Sequence, residues 1–123
     1  MVKISVDEAY ALDILSIYEV KIRNCTDGAK KEASMTAYGY LYKELSEQFG
    51  SDKMQDIVRS VEYKSLYKAN EDTFHLVDKI RSSNEVSVGK DIDNANMERF
   101  FCKRRLQEKF FEGKLLETKT QHE

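Results

Sequence analysis

A chain of 123 residues, 41% hydrophobic and 34% charged, is long enough for one core and leaves no room for a second domain. Its net charge is −2, with 20 basic and 22 acidic residues, so no long-range field draws it to nucleic acid or to an anionic membrane. Proline is absent and glycine numbers only five. β-Sandwiches and doubly wound sheets consume those residues in their many turns, and the sequence predicts instead a few long helices.

The first helix is expected over about 6–23. Ser5-Val6-Asp7-Glu8 reads as a capping box, with Ile4 stapled onto Ala9. Tyr10, Ala11, Ile14, Leu15, Ile17, Tyr18 and Ile22 give it an apolar side, while Leu12 and Val20 fall outside that arc. The second helix should cover about 29–49 and stop at Gly50. Met35, Tyr38, Tyr42, Leu45 and Phe49 form a seam with alternating spacings of three and four. Gly39, inside this helix, costs about 1 kcal/mol against alanine and is read as the mark of a close helix crossing.

The third helix is expected as one long element over about 52–82, capped by Ser51, with a break at Asn70-Glu71-Asp72 as the alternative. Met54, Ile57, Val58 and Val61 give its first half a core face. Tyr63, Tyr67 and Phe74 form a second line on nearly the opposite side, and Leu76, Val77 and Ile80 turn to yet another face. A loop follows to Gly89, in which Val86-Ser87-Val88 is too short for a strand. The fourth helix, about 90–112, carries two apolar lines: Ile92, Ala95, Cys102, Leu106 and Phe110, then Met97, Phe100, Phe101 and Phe111. It is expected to be the most deeply buried helix, with a frayed tail from about 113. The fold predicted is therefore all-α, a bundle of three or four helices forming a single domain over 1–123.

Chemistry is harder to find. Lys103-Arg104-Arg105, with Arg99 and Lys109 nearby and phenylalanines between, suggests a nucleic-acid contact. Consecutive helical residues point about 100° apart, however, so the run makes no single patch, and phenylalanine at helical spacing usually means core. Glu44-Leu-Ser-Glu47 has the spacing by which two carboxylates hold Mg²⁺ in all-α nucleotide pyrophosphohydrolases. Those enzymes follow it one helix later with E-x-x-D, and Glu71 or His75-Leu-Val-Asp78 does not match. Asp72-Thr-Phe-His75 is at most half of a carboxylate–histidine metal motif, and His122 lies in the tail. Cys25 and Cys102 form no C-x-x-C pair and read as reduced thiols. No catalytic residue, metal or cofactor is assigned.

Seven tyrosines and no tryptophan remain to be explained. Tyrosine closes core edges and is enriched at protein interfaces. The opposed line Tyr63, Tyr67 and Phe74 is therefore taken as a contact surface between chains. The leading expectation is a non-enzymatic helical interaction module that self-associates, cytoplasmic and without a membrane span. A regulator contacting nucleic acid through the fourth helix, and a Mg²⁺-dependent nucleotide hydrolase centred on Glu44 and Glu47, are the alternatives.

Overall fold

The computed structural model describes residues 5–83 and 89–111 of the chain. Five helices account for 91% of them, with no strand among the described residues. They are α1 (Glu8–Asn24), α2 (Gly28–Phe49), α3 (Ser51–Arg59), α4 (Val61–Ser83) and α5 (Gly89–Phe110). The loop around Val86 and the tail from about 113 lie outside the described residues, as do Ile4 and His122.

The expected long third helix is two helices, and the break falls at Ser60 rather than near Asn70. Ser60 is extended at φ −72° and ψ 155°. Its hydroxyl donates back to the Ile57 carbonyl and accepts the Tyr63 amide, so one side chain both ends α3 and caps α4. α4 then runs without interruption through Asn70. The redirection swaps the expected faces. Met54 and Ile57 stay buried, but Val61 is 73% exposed and Tyr63, with 3% exposure, belongs to the core.

α1 is the central helix. It packs on α2, on α4 and on α5. Its buried residues are Ala9, Leu12, Asp13, Leu15, Ser16 and Val20. Much of the predicted apolar side is only half-buried, and Tyr10 is exposed. A helix with several neighbours needs no single apolar stripe. α1, not α5, is thus the most buried helix, because α5 presents Met97 and Phe101 to solvent.

The start of α1 also differs from expectation. The N-cap is Asp7, and the Ser5 box does not form. Instead Gln107 of α5 closes the first turn, its carbonyl oxygen accepting the Ala9 amide at 2.9 Å while its amide nitrogen donates to the Glu8 carboxylate at 3.2 Å. α2 follows its prediction more closely. Asp27 caps it by accepting the Ala29 and Lys30 amides, and Gly50 ends it at φ +92°, a backbone that favours glycine. Of the predicted seam, Tyr38, Tyr42, Leu45 and Phe49 face the core while Met35 is exposed. Gly39 marks no helix crossing: a Cβ built there would meet nothing within 4 Å.

Candidate functional site

The middle of the bundle holds a polar cluster where α1, α4 and α5 meet. Asp13 and Ser16 come from α1, Asn70 from α4 and Arg99 from α5. The Asn70 amide nitrogen donates to the Asp13 carboxylate at 2.8 Å and also to the Ser16 hydroxyl. Ser16 in turn donates to the Asp13 carbonyl at 2.9 Å. The Arg99 guanidinium donates to the other Asp13 oxygen at 3.2 Å and to Asn96 at 3.3 Å. Asp13, Ser16 and Asn70 are all buried, and each is held by a partner, as a buried polar group must be. The Ser16 hydroxyl faces a carbonyl rather than a base, so the geometry fastens helices and prepares no nucleophile.

Above this cluster opens a cleft of about 840 Å³ between the C-terminal half of α1, the α1–α2 turn and α4. Its walls are apolar at Ile17, Val20, Phe74 and Val77, and Asn70 and Arg99 lie among its lining residues. Asp27, one of its acids, is already committed to capping α2.

A second cluster gathers four of the tyrosines. Tyr38 and Tyr42 stack at 5.8 Å on α2, and Tyr63 of α4 packs in the core that they edge. Arg23 lies over the Tyr67 ring at 5.2 Å, and the Tyr67 hydroxyl donates to Glu71 at 3.1 Å. The Tyr63 hydroxyl is buried and has no hydrogen-bond partner among the described residues. Burial pushes its phenol far above the usual range, and the nearby Glu19 carboxylate adds to the effect. Glu19 is itself raised by burial, against the opposing pull of Arg23.

These placements settle where the expected contact residues lie. Tyr63 is enclosed by its own chain, Tyr67 is half-buried beneath Arg23, and Phe74 is half-buried in the cleft wall. They do not form one exposed stripe, because the turn at Ser60 rotates the tyrosine line inward. Exposed apolar side chains lie elsewhere, at Met35 and Tyr40 on α2, at Val61 on α4 and, as a neighbouring pair, on the outer side of α5. Met97 there is 51% exposed and Phe101 38%, and Phe100 meets Phe101 edge-on at 5.7 Å.

The basic run separates as its spacing requires. Lys103 is buried with its ammonium 6.0 Å from the Tyr10 ring. Arg104 pairs with Glu108 at 3.4 Å, Arg105 with Glu98 at 3.5 Å and Lys109 with Glu62 at 3.0 Å. Glu44 and Glu47 are exposed on α2, Glu44 accepting from Gln48 at 3.4 Å. Glu71 is engaged with Asn24 and Tyr67, and His75 is exposed beside Phe74. Among the described residues no three His, Cys, Asp or Glu side chains converge as a metal site would need. Cys102 is buried and burial raises its thiol, the setting of a small hydrophobe rather than a nucleophile. No helix of the described residues is long and apolar enough to cross a membrane.

Asp13, Ser16, Asn70 and Gln107 were not legible as core residues. A faint signal exists, since Ala9, Asp13, Ser16 and Val20 repeat at spacings of four and three, but polar residues at such positions ordinarily mark the wet face.

Among known proteins, no family model, curated sequence or solved structure matches the chain.

Proposed function

We propose that the chain is a non-enzymatic helical interaction module that associates with further copies of itself. The observation that carries this reading is the exposure of Met97 and Phe101 side by side on α5, one helical turn apart and facing away from the bundle. Single exposed apolar residues are ordinary, whereas a large apolar pair on one face usually marks a contact. The polar cluster supports the reading from the other direction. Its Asp13 carboxylate, Asn70 amide and Arg99 terminal nitrogen join α1, α4 and α5, which makes the bundle a firm platform for a surface on α5. An intracellular setting is part of the proposal, supported by two cysteines that remain unpaired.

The test is solution mass measured by sedimentation from low micromolar to submillimolar concentration. A mass rising toward that of a dimer is expected. A monomer over the whole range overturns the proposal.

A further inference from the structure

We infer that two copies pair through the outer side of α5, antiparallel about a two-fold axis, each Met97 resting on Phe101 of the other copy. This rests on the self-association proposed above and adds to it the face, the direction and the register.

α5 has two contrasting sides. Arg99, Cys102 and Leu106 turn toward the bundle, where Cys102 and Leu106 are buried. On the far side run Lys90, Asn94, Met97, Phe101, Arg104 and Glu108, all six exposed. Their spacing is four, three, four, three and four, which keeps one straight line along a helix for about 27 Å. That alternation is the seam of two helices packed side by side. Among the described residues no hydrogen bond, ion pair or ring contact joins these six to another helix, the partners of Phe101, Arg104 and Glu108 lying on α5 itself.

The residues along the seam choose the partner and its direction. In a two-fold antiparallel pair the first seam position meets the last, the second meets the fifth and the third meets the fourth. Lys90 then faces Glu108 of the second copy, Asn94 faces Arg104, and Met97 faces Phe101. Every layer is complementary: opposite charges at the ends, an amide oxygen for a guanidinium next, and apolar contact in the middle. A parallel pair would set Lys90 on Lys90, Arg104 on Arg104 and Glu108 on Glu108, so like charges disfavour it. The local contacts do not stand in the way. Arg104 lies 5.9 Å over Phe101 and 3.4 Å from Glu108, but both ends of that ion pair are more than half exposed. Such a pair contributes little and re-forms across the interface at small cost. A contact of one helix per copy is small, so the expected dissociation constant is micromolar.

Charge exchange tests the register in the full chain. Lys90→Glu sets an acid against Glu108 of the other copy in both end layers of the pair. Glu108→Lys sets a base against Lys90 in the same two layers. Each change alone should weaken association by about tenfold, since two like-charge layers replace two opposite ones. Mixed one to one, the two variants should regain wild-type affinity as a mixed dimer. Both end layers of that dimer again join opposite charges, one end carrying the two substituted residues and the other the two native ones. In a parallel pair, by contrast, each change alone would only exchange one like-charge layer for another and leave association unweakened. Lys90→Glu leaves the helix intact, and Glu108→Lys gives up only the exposed pair with Arg104. An acid at the start of α5 and a base at its end both suit the helix dipole, so circular dichroism melts should match wild type. Met97→Glu, at an exposed position, should leave a folded monomer. Variants that each associate like wild type on their own, or that stay weak when mixed, overturn this pairing while leaving self-association through another face standing. So does a Met97→Glu chain that still dimerises. A wild-type chain that never associates removes the proposed function and this pairing together.

Discussion

The Asn70 amide and the Asp13 carboxylate meet at 2.8 Å in the centre of the bundle, although 57 positions separate them in the chain. This bond, with the Arg99 contact to the same carboxylate at 3.2 Å, ties α1, α4 and α5 at one point. Asn70→Ala removes a donor from both Asp13 and Ser16 and leaves a void where the amide stood. A loss of about 2–4 kcal/mol of folding stability is expected, measured by urea unfolding. A loss below about 1 kcal/mol would show that the cluster does not hold the bundle together.

Ser60 acts in two helices at once, accepting the Tyr63 amide at 3.1 Å while donating to the end of α3. Ser60→Ala should lower stability by about 1 kcal/mol, the usual worth of a lost N-cap. Ser60→Asp keeps an acceptor for the Tyr63 amide and should recover much of that loss in the same thermal melt. Equal melting of the alanine variant and wild type would contradict the capping role.

Burial raises the Glu19 carboxyl above its usual range, so the folded chain holds that proton more tightly than the unfolded chain does. Below the carboxylate range both states are protonated and Glu19 costs nothing. As pH rises above about 4, the unfolded chain ionises first, and stability falls until the folded group has ionised too. Glu19→Gln removes that fall. Its melting temperature should exceed that of wild type at neutral pH, with the difference vanishing at low pH. A difference that grows on acidification would reverse the sign and refute the assignment.

Gly39 sits in mid-helix with open space where a side chain would project. Gly39→Ala should therefore stabilise the monomer by about 1 kcal/mol, since alanine lowers the cost of ordering the helix and meets no neighbour. A destabilised variant in the same unfolding experiment would mean that something packs closely against this face of α2.

How well the sequence read depended on the range of the interaction. α2 was legible almost to the residue, because its Gly50 stop is a local event decided within one helical turn, although the Asp27 cap was not read. The break at Ser60 was also local, a serine cap followed by Glu62 in the first turn of α4, yet the continuous apolar pattern concealed it. That one omission misplaced Tyr63, since a change of helix axis turns every later side chain to a new direction.

The all-helical class was determined by the sequence itself: without proline, and with apolar residues returning every three or four positions, helices are the elements that can bury them. Which side of each helix faces inward was decided only by the tertiary structure. Asp13, Ser16 and Asn70 are costly to bury singly and stable when buried together, because each satisfies another's hydrogen bonds. No window of sequence contains that set, as its members come from separate helices. The outer line of α5 shows the converse. Its spacing was written in the sequence among two apolar lines, but only the packing of α1 and α4 against the other line left Met97 and Phe101 facing solvent.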